Sequence, residues 1–158
     1  MTQKHKAYYR SEIGLIEIIG TEEGILSLDF LEEGSKGHYE IHPCLEKCVE
    51  QLDEYFRGTR REFPLDLILQ GTAFQKKVWN QLMKIPFGET VSYKYIASSI
   101  GNIKAVRAVG NANGKNRIAI IIPCHRVIGS NGTLVGYASG VWRKEWLLKH
   151  ESDVSSRG

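Results

Sequence analysis

No hydrophobic run in these 158 residues approaches the roughly 20 that a membrane-spanning helix needs. The start, Met1-Thr2-Gln3-Lys4-His5-Lys6, carries positive charge but no apolar segment follows it, so secretion is not expected and a cytoplasmic location is. Cysteine is scarce: Cys44, Cys48 and Cys124 make an odd count of three, which suits a reducing compartment better than a disulfide framework. Internal repeats and low-complexity tracts are missing too. With 42% hydrophobic residues, the chain is an ordinary globular protein of one domain or two small ones.

Charge of one sign is also scarce, but only locally. Residues 1–70 hold 8 Lys and Arg against 14 Asp and Glu, a net of −6; residues 71–158 hold 13 against 4, a net of +9. A basic second half suggests that this part meets a polyanion, with plain surface solvation as the alternative. The expected boundary is at Gln70/Gly71, giving domains 1–70 and 71–158.

In the first part, Gly14–Gly20 and Gly24–Leu31 flank Thr21-Glu22-Glu23 and read as a β-hairpin. Pro43 to Phe56 reads as a helix, with Leu45, Cys48, Val49, Leu52, Tyr55 and Phe56 on one face and Gly58 closing it. Residues 63–69 read as strand or extended linker. In the second part Thr72 and Gln75 form a capping box for a helix from Ala73 to about Ile85, with Phe74, Val78, Leu82 and Ile85 inward. Two short helices follow, Tyr93–Ile100 capped by Ser92 and Lys104 to about Ala112, with Gly101 between them. That is the outline of a helix-turn-helix. The second of the pair has a bare face of Ala105, Ala108, Gly110 and Ala112 with one long cation, Arg107. Such a face fits either close insertion into a minor groove, with little sequence readout, or packing against another helix. Further strands are expected at Ile118–Ile122 and Leu134-Val135. A last helix is expected from Val141 to about Glu151, with a disordered tail at 152–158.

The chemistry concentrates in Ile122-Pro123-Cys124-His125-Arg126-Val127. Pro123 stops the apolar run and delivers Cys124 to its end, where a thiol sits beside an imidazole and a guanidinium. Cationic neighbours favour the thiolate, which is the nucleophile. A small core residue is the alternative for a cysteine met alone.

This run resembles the methylated-DNA–protein-cysteine methyltransferases, the alkylguanine-DNA alkyltransferases. The likeness extends through Phe87–Tyr93, Ala105–Gly110, Asn113–Asn116, and Gly136-Tyr137 with Lys144–Glu151. The resemblance implies an α+β protein: a small N-terminal α/β, RNase H-like domain, then a mostly helical, winged helix-turn-helix-like C-terminal domain. It also implies a single-turnover DNA repair activity, in which an alkyl group passes from 6-O-alkylguanine, with 4-O-alkylthymine open, to Cys124 and the protein is consumed. On this resemblance His125 acts as base through a water, Glu151 orients His125, and Asn116 ties the recognition helix to the active-site turn. Tyr93 donates towards guanine N3 and turns the backbone phosphate. Arg107 fills the space of the extruded nucleotide, and Tyr93, Ala105, Ala108, Gly110 and Ala112 lie along the DNA. Val127, Tyr137, Ala138 and Ser139 line the substrate pocket.

Arg126 is expected to pair with a carboxylate and be structural, and Trp142 and Trp146 to pack the last helix. The partner implied is double-stranded DNA, met through the minor groove by a monomer with cooperative loading left open. No membrane, cofactor or metal is expected. Some members of the family hold zinc in the N-terminal domain, but this chain lacks that ligand set. A grouping of His38, His42, Cys44 and Cys48 is disfavoured because Cys48 falls on an apolar helix stripe. The rival readings are a lesion-binding, non-catalytic alkyltransferase-like protein and a thiol hydrolase built on Cys124 and His125.

Overall fold

The computed structural model describes residues 3–32 and 40–157. The chain divides into two compact units, Met1–Leu69 and Gln70–Gly158.

In the first unit β1 (His5–Ser11), β2 (Gly14–Thr21) and β3 (Gly24–Phe30) form an antiparallel sheet in chain order. The buried side of β2 and β3 carries Ile16, Ile18 and Leu28, against which α1 (Pro43–Phe56) lays Leu45, Leu52 and Tyr55. Cys48 lies on that same buried stripe, where burial pushes its thiol up to about 12. Residues 63–69 are extended, with one parallel bridge from Leu67 to Ile25. Strand β1 escapes the sequence pattern because it is an edge strand with a single buried side chain, Ala7, among exposed Lys6 and Arg10.

The second unit begins with α2 (Ala73–Leu82), started by the reciprocal Thr72–Gln75 capping box. Trp79 joins Val78 and Leu82 in its buried face and donates its indole N–H to the Ala112 carbonyl at 2.9 Å. Helices α3 (Tyr93–Ser99) and α4 (Val106–Gly114) form the expected helix-turn-helix pair. Gly101, at φ +77°, makes the turn between them in a conformation few other residues adopt. The final helix, α5, runs Val141–Ser156. Among the described residues no helix is long and apolar enough to cross a membrane.

Three expectations fail here. Ile118–Ile122 is buried but is a sequence of turns, not a strand. Its backbone is satisfied from the side: Asn116 accepts from Ile118 N (2.9 Å) and donates to Ile122 O (2.8 Å), so no sheet ladder is needed. Ile120 sits at φ +71°, a costly conformation for a β-branched residue that this bonding holds in place. Leu134-Val135 is likewise irregular, and the short sheet of this unit instead pairs β4 (Val91–Ser92) in parallel with β5 (Val127–Ile128). The tail is helical through Ser156: α5 continues past Glu151 because Val154 is buried and Lys149 pairs with Asp153 one turn on.

Trimming Val154 to alanine is expected to lower stability by about 1–2 kcal/mol, as for other buried methyl deletions. Urea denaturation checks this, and an unchanged midpoint would return the tail to a passive role.

Candidate active site

Cys124 opens a single 3-10 turn, Cys124–Arg126, and is buried with both of its neighbours. The turn replaces the strand end expected from the sequence. Successive side chains still diverge, by roughly 120° in a 3-10 turn, so Cys124 and His125 face different surroundings.

His125 points inward and has no solvent exposure. Its Nε2 lies 2.6 Å from Glu151 Oε2, across 25 intervening residues. Arg126 takes the same carboxylate with two bonds, Nε to Oε1 (2.8 Å) and Nη2 to Oε2 (3.0 Å), and sends Nη1 to the Ile85 carbonyl (2.7 Å). A fourth donor reaches Glu151 from the Gly88 amide at 3.1 Å. Four donors fill the acceptor sites of an ionised carboxylate. Burial opposes that ionisation, yet the hydrogen bonds from His125 and Arg126 and the Arg126 charge outweigh it and hold the Glu151 carboxyl below the usual range.

His125 moves the other way from what a carboxylate partner alone would cause. Burial dominates and lowers its pKa; the Arg126 and Lys144 charges add to that, while Glu151 opposes it. The imidazole is therefore neutral at rest. A carboxylate can only accept, so the one proton of the neutral ring sits on Nε2 and Nδ1 keeps a lone pair. Nδ1 is buried and has no hydrogen-bond partner among the described residues. Such a nitrogen is a base waiting for a donor.

Around the sulfur stand groups of opposite character. Lys144 is fully buried, and its Nζ donates to the carbonyls of Val135 (2.9 Å) and Gly136 (3.3 Å). Burial lowers its pKa while a negative Cys124 would raise it. That attraction is mutual, so the ammonium favours the thiolate. Tyr93 donates to the same Val135 carbonyl at 3.2 Å, and burial, then the Cys124 charge, raises its phenol. Tyr93 and Lys144 thus share the task of holding the 135–136 backbone. Asn113 extends its Nδ2 to the Cys124 carbonyl (3.4 Å), beside the Asn116 clamp on Ile122.

The structure joins His125 to Glu151, ties Asn116 to the Ile122 carbonyl two residues before Cys124, and holds Tyr93 on the Val135 carbonyl. Val127 is buried in β5, Tyr137 and Ser139 are half-buried, and Ala138 is exposed. On α4, Arg107 and Ala108 are exposed, and Ala105 and Gly110 are half-buried. Ala112 departs from its expected place along DNA. It is 2% exposed, on the face of α4 packed against Trp79, so its side chain meets the core. Arg126 is structural, as expected.

Three contributors went unassigned in the sequence. Lys144 stood in a matching segment without a role, since a buried lysine is rare on general grounds. Asn113 was masked by its neighbour Asn116. Gly88 lay in the matching Phe87–Tyr93 segment without a role, whereas its φ of +82° and its closeness to Ser155 leave no room for a side chain while its amide serves Glu151.

The depressed His125 pKa has a consequence for stability. The unfolded chain takes up a proton near the ordinary histidine value of 6.5 and the folded chain does not. Stability is thus full above that pH and falls as pH drops below it. Glu151, also depressed, adds a second loss below its ordinary 4.5. The urea midpoint of the native protein is expected to decline from about pH 6.5 downward. In His125→Asn the upper part of that decline should vanish; a native profile flat through this window would contradict a neutral His125.

Comparison with known proteins agrees with the geometry. Residues 73–153 match the family described as 6-O-methylguanine DNA methyltransferase, DNA binding domain, and residues 4–69 its ribonuclease-like domain. A methylated-DNA–protein-cysteine methyltransferase of Methanosarcina acetivorans is 49% identical over 150 residues, covering 92% of this chain and 96% of the relative. The Mycobacterium tuberculosis protein of the same name is 48% identical over 145 residues, covering 89% of this chain and 88% of that one. A crystal structure of the Mycobacterium tuberculosis O6-methylguanine methyltransferase superposes with a TM-score of 0.86 at 43% identity, covering 96% of this chain and 94% of its own. Another from that species, in complex with DNA, gives 0.86 at 46%, covering 95% and 94%. With both halves of the chain matched, and with the buried Cys124 followed directly by a buried His125–Glu151 pair, this protein belongs to the methylated-DNA–protein-cysteine methyltransferase family.

Proposed function

We propose that this chain repairs alkylated DNA by moving the alkyl group of 6-O-alkylguanine, and of 4-O-alkylthymine where it is present, onto the Sγ of its own Cys124. The observation that carries the reading is the Glu151–His125 hydrogen bond, which puts the ring proton on Nε2 and leaves Nδ1 free to accept. Through one water, Nδ1 takes the thiol proton, and the imidazolium formed is balanced by Glu151. The thiolate attacks the alkyl carbon in line; the S–C bond forms as the C–O bond breaks. Guanine leaves with the electron pair, and Tyr93 supplies a proton towards N3 as that charge develops. Lys144 favours the thiolate before attack and holds the 135–136 backbone that closes the pocket. The product is a thioether, which nothing in the site can cleave, so each chain acts once.

Binding to duplex DNA is supported by the +9 charge of residues 71–158, by the exposed Arg107 on α4, and by the DNA-bound mycobacterial relative. The small face of α4, with Ala108 exposed and Gly110 half-buried, suits a minor-groove approach by a monomer. Arg107 fills the gap when the target nucleotide leaves the stack, and the Val127 and Cys124 carbonyls receive the guanine amine. The odd cysteine count supports a reducing compartment for this work.

Incubation with an oligonucleotide duplex containing methylated guanine, followed by digestion and mass measurement, should show one added methyl on the Cys124 peptide and no turnover. An unmodified peptide with retained DNA binding would favour a lesion-binding protein instead. Cys124→Ala is expected to abolish transfer and leave DNA binding nearly intact. In Arg107→Ala, repair in duplex should slow far more than reaction with the free alkylated base, and equal losses would count against base extrusion. Affinity for DNA should also fall steeply with added salt.

A further inference from the structure

Strand β1 carries His5 to the N-terminal end of α1, where two more donors wait. His42 caps that helix, its Nδ1 accepting from the Cys44 amide at 3.1 Å, and the Cys44 Sγ lies 3.1 Å from the same nitrogen. The His5 and His42 rings stack face to face, with centroids 3.5 Å apart and planes 14° off parallel. One donor atom from each of His5, His42 and Cys44 falls within 4.8 Å of the others, and all three residues are half-buried. This trio differs from the one the sequence suggested. His38 lies outside the described residues, Cys48 is sealed in the α1 stripe, and His5 enters only because β1 exists.

We propose that His5, His42 and Cys44 bind a divalent transition-metal ion of the zinc class, with water as the fourth ligand. Two imidazoles and a thiolate are the donors zinc prefers over oxygen-only sets. Zinc distances of about 2.0–2.3 Å imply ligand atoms roughly 3.3–3.7 Å apart, so binding draws the trio closer and turns the two rings out of their stack, until their in-plane lone pairs meet at one point. The ion can reach the thiol: Cys44 lines an open groove together with Glu22 and Asp66, within a unit whose sequence carries a net −6. On binding, the Cys44 thiol releases its proton to solvent as the S–metal bond forms. The ion would pin edge strand β1 to the start of α1, a staple of the kind small units use. None of these residues takes part in the alkyl-transfer steps, so the site stands or falls separately from them.

Cobalt serves as the probe, added to the untagged full chain. One equivalent should bind, giving the visible bands of a four-coordinate site and a near-ultraviolet thiolate-to-cobalt band. Cys44→Ser should remove the thiolate band, and His5→Ala should weaken binding by about tenfold or more. His42→Asn keeps a good helix cap while losing the imidazole, so lost cobalt binding with unchanged stability separates ligation from capping. Zinc should raise the melting temperature of the native chain by several degrees and leave that of Cys44→Ser unmoved. Absence of stoichiometric uptake would overturn the proposal. So would a thiolate band that survives Cys44→Ser but vanishes in Cys124→Ala, because the metal would then sit on the acceptor thiol.

Discussion

Everything about this reactive centre hangs on the carboxylate of Glu151. Burying an anion is expensive, and burying it with one partner seldom repays the lost hydration. Here the donors come from two separate pieces of chain, His125 and Arg126 in the 3-10 turn and Gly88 in the turn after α2, and a third, α5, supplies the acceptor. The interaction therefore does two things at once. It ties the last helix to the segment bearing the nucleophile, and it decides which nitrogen of His125 keeps its proton. Arg126 neutralises most of the glutamate charge, and this lets burial keep His125 uncharged despite a carboxylate 2.6 Å away. Without the arginine, the same pair would tend towards an imidazolium, which cannot accept a proton.

Around this anchor the polypeptide is held in shapes it would not choose alone. Ile120 sits in the left-handed region, and the Asn116 side chain substitutes for the sheet partners that the 118–122 backbone lacks. On the other side, the irregular backbone at 135–136 is held by Lys144 and Tyr93 through its carbonyls. A fully buried ammonium is costly, and besides those carbonyls a negative Cys124 would offset part of that cost. The same lysine thus links loop position to the ionisation of the sulfur. Pre-set strain and pre-placed charge of this kind suit a protein that reacts once, because nothing has to be reset for a second cycle.

The sequence displayed some of this openly. The α1 stripe, the Thr72–Gln75 capping box and the helix-turn-helix around Gly101 are local signals, and the structure repeats them within a few residues. The pairing of Glu151 with His125 was legible only through family resemblance, since no periodicity connects residues 26 positions apart. What stayed hidden has physical causes. An edge strand buries one side chain and shows no alternation, so β1 was silent, and with it the place of His5. A continuous apolar run looks the same whether a sheet ladder or an asparagine side chain satisfies its backbone, so 118–122 passed for a strand. Ala112 belonged to a small-residue face, but only the packing against Trp79 reveals that it points inward.

The account rests most directly on the resting state of one ring. Nitrogen-15 spectroscopy of labelled His125, recorded in the unreacted protein near neutral pH, reads both its charge and its tautomer. A neutral imidazole with the proton on Nε2, persisting below the ordinary histidine range, is the expected result. An imidazolium at neutral pH, or a neutral ring protonated on Nδ1, would leave Cys124 without its base and contradict the account.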